Sequence, residues 1–248
     1  MTVGITVRGA LSDDEAAWAH DRIAETVARA HGRVSAVSVR LTGGTEAGAA
    51  APGRPAVVQV NLTVDDCPLR VQAAAVTIRE AVDLAVARLR ELTEAVAHRD
   101  RHFGHTSRPF RADRRGPGAH PARRTIVRRK VFALEAQTPD EAADTLESRD
   151  YDFHLFVDAE SGVDSVIYRG APEEYILAQV EPGPAIRGAT RVPVTVNAVP
   201  APRMPVSHAK KELATLESPF LFFADEDTGR GNVLYRRYDG GYGLIVPA

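Results

Sequence analysis

Arginine is the residue type in this sequence whose spacing could do chemistry. Arg79, Arg90 and Arg101 recur every eleven residues, Arg88 and Arg99 keep the same interval, and Arg22 and Arg29 stand seven apart. On an α-helix at about 100° per residue, eleven residues return to nearly the same direction, drifting about 20° per step. Each series therefore lines one flank of a helix. A guanidinium is a planar fork of donors that matches phosphate oxygens, so such rows point to docking on a polyanion. His98, His102 and His105, at i, i+4 and i+7, have a spacing that could ligate a metal. No cysteine and no obvious carboxylate partner joins them, and the neighbouring arginines oppose a cation. Contact with RNA, or plain exposure, is the better reading of His102.

Bond-making chemistry finds little support. Asp158-x-Glu-x-Gly162 and Asp225-x-Asp-x-Gly229 resemble the opening of a calcium loop, but position twelve of such a loop should be a bidentate glutamate. Arg169 and Arg236 stand there instead, which leaves these segments as hairpin turns whose glycines supply positive φ. The single cysteine, Cys67, excludes an internal disulfide framework and a multi-thiolate zinc site. There is no phosphate-loop, HExxH or GxSxG motif. No catalytic residue, metal or cofactor is expected.

The net charge of −2 conceals a strong segregation. Residues 99–130 carry eleven basic residues against Asp100 and Asp113, net +9, whereas residues 131–190 carry thirteen acidic against three basic, net −10. Different partners for different segments follow. Residues 104–124 are rich in proline and glycine and have no apolar period, so they read as a flexible basic linker. Within it Arg111, Arg114, Arg115, Arg123 and Arg124 are the expected polyanion contacts. Apolar runs are far shorter than the roughly 20 residues of a membrane helix. The N-terminus lacks the pattern of a secretory signal, and the cytosol is the expected address.

The arginine rows need helices, and the first hundred residues supply them. Ile5 and Val7 mark an opening strand. Ser12-Asp-Asp-Glu15 is a capping box for a helix with Ala16, Ala19, Ile23, Val27 and Ala30 on one face and Gly32 as its C-cap. Val37, Val39 and Leu41 share one face of a second strand; Val58, Val60, Leu62 and Val64 alternate in a third, and Leu69 to Val71 form a fourth. A second helix, expected from Ala73 to Phe103, carries Ile78, Val82, Ala85, Leu89, Leu92 and Val96 as its core stripe. One sheet with two helices on one face accounts for this β-α-β-β-β-α order.

The second half contains a duplication. Residues 153–169 align without gaps on 220–236 at an offset of 67, with seven of seventeen positions identical. Each copy reads as a strand, a short helix (Pro139 to Ser148; Val206 to Leu216) and further strands. In the second copy Phe220 and Phe222 make one strand face apolar, and Leu221 and Phe223 the other. A single short helix covers one face only, so the other must meet a partner. The tethered first copy, with Phe153, Leu155, Phe156 and Tyr168, is the expected partner for Phe220, Phe222, Phe223 and Tyr235. Pairing within one chain would leave the protein monomeric.

These residues meet a known family. The run from Val58 through LTVDDCPLRV into REAVDLAVARLREL resembles the ribosome-binding domain of the ribosome hibernation-promoting factors. DFHLFVDAESGVDSVIYR and SPFLFFADEDTGRGNVLYRRYDGGYGLIVPA resemble the C-terminal module of that family's long form. The resemblance implies a non-enzymatic factor that binds the small ribosomal subunit (16S rRNA and ribosomal proteins) in the mRNA/tRNA channel. There it would block translation and preserve idle ribosomes under stress. It makes Arg22, Arg29, Arg79, Arg88, Arg90, Arg99, Arg101 and His102 the expected rRNA contacts. The usual long form carries one C-terminal module, which homodimerises to join two ribosomes; this chain carries two. The first has Gly170-Ala-Pro-Glu-Glu where the family's basic hairpin would stand.

The expected architecture is α+β: a β-α-β-β-β-α ribosome-binding domain (1–103), a basic linker (104–124) and two tandem small β-α-β-β-β modules (125–187 and 188–248). Single ribosomes would be silenced without being joined. The competing reading is a stress-responsive interaction protein whose C-terminal repeats recruit a protein partner or dimerise ribosomes.

Overall fold

The computed structural model describes residues 4–9, 11–45, 53–97, 125–170, 174–181, 189–216 and 218–248. They fall into two compact units, one built chiefly on the residues up to 97 and one on those from 125 onward.

In the N-terminal unit, β1 (Gly4–Arg8), α1 (Asp13–Ala28), β2 (Val34–Thr42), β3 (Ala56–Val64), β4 (Cys67–Ala75) and α2 (Ile78–Ala97) follow in that order. The sheet runs β1-β2-β3-β4, with β1 parallel to β2 and the other pairs antiparallel. Alternation decides which face is covered. Val37, Val39 and Leu41 of β2, with Val58, Val60, Leu62 and Val64 of β3, pack beneath Ala19, Ile23 and Val27 of α1. The full stripe Ile78, Val82, Ala85, Leu89, Leu92 and Val96 of α2 joins the same core.

The capping box is formed: the Ser12 hydroxyl accepts the Glu15 N–H at 3.2 Å, and the Glu15 carboxylate accepts the Ser12 N–H at 3.1 Å. These bonds hold the Glu15 carboxyl below its ordinary range. Two boundaries differ from expectation. Helix α1 ends at an Arg29 cap, and Gly32 (φ 99°) lies beyond it in the turn to β2. Helix α2 starts at Ile78, not Ala73, because Ala73 to Ala75 stay paired with β3. Thr77 and Glu80 then close a second reciprocal box, each side chain 3.3 Å from the other's N–H. Residues 98–103, expected to extend α2, lie outside the described residues.

The C-terminal unit holds β5 (Ile126–Phe132), β6 (Ala136–Gln137), α3 (Pro139–Ser148), β7 (Phe153–Asp158), β8 (Asp164–Arg169) and β9 (Tyr175–Gln179) from the first copy. The second copy gives β10 (Val194–Val196), β11 (Arg203–Met204), α4 (Val206–Thr215), β12 (Phe220–Asp225), β13 (Gly231–Arg236) and β14 (Tyr242–Pro247). Both hairpin glycines have positive φ, 71° at Gly162 and 70° at Gly229.

The two sheets cut across the two copies. One runs β10-β9-β8-β7-β6 and the other β11-β12-β13-β14-β5. The opening strand of the first copy thus lies parallel to β14 of the second, and β10 of the second copy lies parallel to β9 of the first. The exchange is reciprocal. Its result is two modules, each with its own helix-side core. Phe156, Ile167 and Leu177 pack with Ala142, Ala143 and Leu146 of α3; Phe223, Leu234 and Leu244 pack with Ala209 and Leu213 of α4.

Candidate RNA-binding surfaces

Both helices of the N-terminal unit cover one sheet face, so their flanks turned away from the sheet form a continuous outer layer. Arg29, Arg79 and Arg90 are exposed there, and Arg22 is partly so. Each is held differently. Arg22 bridges the helices through Asp83 at 3.6 Å, and Arg29 pairs with Glu25 at 2.7 Å. The Arg79 guanidinium lies 4.7 Å from the centroid of the Trp18 ring, a cation–π contact that fixes its position while the residue stays exposed. Surface pairs of this kind stabilise the fold little, and phosphate can replace the carboxylate partner at small cost. Arg88 is different: it is half-buried and donates to the Gln72 carbonyl at 2.7 Å, back toward the sheet. Arg99, Arg101 and His102, with the linker residues Arg111, Arg114, Arg115, Arg123 and Arg124, lie outside the described residues.

A second polar surface is independent of the helical spacing. On the sheet face that the helices leave open, the register sets Thr6 beside Arg40, Arg8 beside Thr42, and Arg40 beside Gln59. Arg8 and Arg40 are exposed. Its signal in the sequence is the polar half of the strand alternation, the counterpart of the apolar half that marks the core.

A third surface lies between the two C-terminal sheets. Leu155, Val166, Ala178, Phe220, Phe222 and Val233 form its buried centre, bordered by Phe153, Tyr168 and Tyr235. Phe153 packs against Phe220 in a tilted pair with ring centroids 4.7 Å apart; Phe153 meets Tyr235 at 5.8 Å and Phe220 meets Tyr168 at 5.3 Å. Burial pushes the Tyr168 hydroxyl above its ordinary pKa. Phe156 and Phe223 do not belong to this surface. Side chains alternate along a strand, so the neighbours of Leu155 and Phe222 point to the helix side and fill the separate cores.

The duplicated arginine also finds its place. Arg169 donates to the Tyr151 carbonyl at 2.9 Å, and Arg236 donates to the equivalent Ser218 carbonyl at 3.2 Å. Arg236 further reaches the Leu213 and Leu216 carbonyls, the latter at 2.8 Å, at the end of α4. Here arginine satisfies backbone acceptors that the helix leaves open. Among the described residues no cluster of three or more His, Cys, Asp or Glu could hold a metal ion.

A family model described as Sigma 54 modulation/S30EA ribosomal protein C terminus matches this sequence twice, over residues 121–177 and 192–244. The dormancy associated translation inhibitor of Mycobacterium tuberculosis is 38% identical over 234 residues, covering 90% of this chain and 83% of that protein. The chloroplastic ribosome-binding factor PSRP1 of Spinacia oleracea is 41% identical over 46 residues, 18% of this chain and 15% of that one. The solved N-terminal domain of Thermus thermophilus Protein Y aligns at 16% identity with a TM-score of 0.30, over 39% of this chain and 99% of that one.

Proposed function

This chain belongs to the long-form ribosome hibernation-promoting factors, in a version with a duplicated C-terminal module, and from that premise we propose that it is a non-catalytic translation inhibitor. It occupies the mRNA/tRNA channel of the small ribosomal subunit, in the cytosol, and preserves idle ribosomes under stress. The observation that carries this reading is similarity over 90% of the chain to a protein whose name states translation inhibition.

The mechanism is occlusion. The outer helical layer offers Arg22, Arg29, Arg79 and Arg90 to ribosomal RNA phosphates, and contacts of that kind position a protein without reading bases. Release of counterions supplies the affinity and makes it salt-dependent. The packing between the two C-terminal sheets supports action on single ribosomes. The apolar face through which one module would need a second chain is filled from the same chain.

The purified protein, added to ribosomes and run on a sucrose gradient, should co-migrate with single ribosomes, inhibit translation in vitro, and be released as salt rises. Absence from the ribosome fractions would overturn the reading. A ribosome-dimer peak would overturn the single-ribosome part of it. The charge of the first copy favours a second reading: residues 131–190, with thirteen acidic against three basic, recruit a protein partner. In that case a partner would bind the full chain without ribosomes, and ribosome binding would be secondary.

A further inference from the structure

The two C-terminal modules face one another about an approximate two-fold axis, so equivalent positions meet. Phe153 touches Phe220, 67 residues later, and the Phe153–Tyr235 contact is mirrored by Phe220–Tyr168. At the other end of the hairpins the same relation brings together Asp164, which opens β8, and its equivalent Gly231, which opens β13. Here the copies have diverged in complementary ways: Val163-Asp164 in the first stands opposite Arg230-Gly231 in the second.

Asp164 is buried, with 8% of its surface exposed. Its carboxylate accepts the Gly231 N–H at 2.8 Å, the Arg230 Nε at 2.8 Å and the Arg230 Nη2 at 3.2 Å. The guanidinium thus grips both oxygens, the strong bidentate form of this bond. Space is as tightly matched as charge. A Cβ on Gly231 would stand 2.8 Å from the Asp164 Cβ and 2.9 Å from the Phe222 ring, so only one of the two equivalent positions can carry a side chain.

We propose that this junction makes a first-copy module select a second-copy module as its partner and reject its own kind. Two first-copy modules would bring Asp164 against another Asp164, with two carboxylates in the space of one. Val163 would stand where the neutralising guanidinium is needed. Two second-copy modules would set Gly231 against Gly231, leaving a void and an Arg230 without its carboxylate. Specificity arises as much from these penalties as from the matched pair. The complementary module is always present on the same chain, at the effective concentration a tether provides. The inference rests on the reading that the chain acts on single ribosomes, and it names the residues that bar two like modules from pairing, while the tether favours the complementary copy on the same chain.

The test uses the full-length free protein, so its failure is separable from any failure in ribosome binding. Gly231→Asp adds the second carboxylate and should lower the melting temperature of the C-terminal unit by roughly 10 °C or more. Moving the four residues to the opposite copies (Val163→Arg, Asp164→Gly, Arg230→Val, Gly231→Asp) should regain at least half of that loss, because the two-fold relation rebuilds the same junction. Asp164→Asn, which keeps the shape, provides a variant that folds. It should lower the melting temperature by several degrees, and Arg230→Met added to it should cost little more. Light scattering should give the mass of one chain for wild type and for the exchanged variant. A Gly231→Asp chain as stable as wild type, an exchanged chain no more stable than Gly231→Asp, or additive losses at Asp164 and Arg230 would overturn the proposal.

Discussion

Truncating Phe220 to alanine probes whether the two C-terminal sheets hold each other within one chain. The ring is 7% exposed and lies between Phe153 at 4.7 Å and Tyr168 at 5.3 Å. A buried Phe→Ala change typically costs about 3–5 kcal/mol, from forfeited transfer energy and the cavity left behind. For a unit of about 120 residues, each kcal/mol lowers the melting temperature by about 4 °C, so a fall of roughly 12–20 °C is expected. Phe153→Ala should cost less, because that ring is only partly buried. The double variant then isolates the pair. Two aromatic rings at this separation contribute about 0.5–1.5 kcal/mol beyond their area, and the two destabilisations should fall short of additivity by that amount. The assay is thermal and urea unfolding of the three variants over a hundredfold range of protein concentration. Melting should not shift with dilution, because both partners are on one chain. A coupling of zero, or melting that falls on dilution, would refute the intrachain interface.

Three further outcomes are expected. Reversing Arg79, Arg90 and Arg101 to Glu should abolish co-sedimentation with ribosomes while far-UV circular dichroism stays unchanged, and tryptophan fluorescence should report that Arg79 no longer covers Trp18. Neutralising Arg111, Arg114, Arg115, Arg123 and Arg124 should flatten the log–log dependence of ribosome affinity on salt, by about 0.7–0.9 for each phosphate no longer neutralised. Ser12→Ala should lower the melting temperature of the N-terminal unit in a pH-dependent way. The Glu15 carboxyl is depressed in the folded state by its bonds to Ser12, so its contribution is present above the unfolded pKa and is lost as pH falls through the folded one. The gap between wild type and Ser12→Ala should therefore narrow in acid; a gap independent of pH would disconnect Glu15 from the cap.

The local elements follow from the order of residues alone. Ser12 and Glu15 form the box their spacing describes, and every residue of the expected α2 stripe from Ile78 to Val96 is buried. The duplication, and the two apolar strand faces of the second copy, were legible because identity and alternation are properties of short segments. The helical arginine rows were legible for the same reason as far as Arg90, but direction on a helix does not say what a side chain meets. Arg88 turned to the Gln72 carbonyl and Arg79 over Trp18 are visible only in three dimensions. So are the separate cores served by Phe156 and Phe223, the open sheet face shared by Arg8 and Arg40, and the exchange of opening strands between the two copies. A strand's period fixes which side chains point together. Its hydrogen-bonding edge accepts any strand of matching register, so the partner is chosen by the packing of the whole unit.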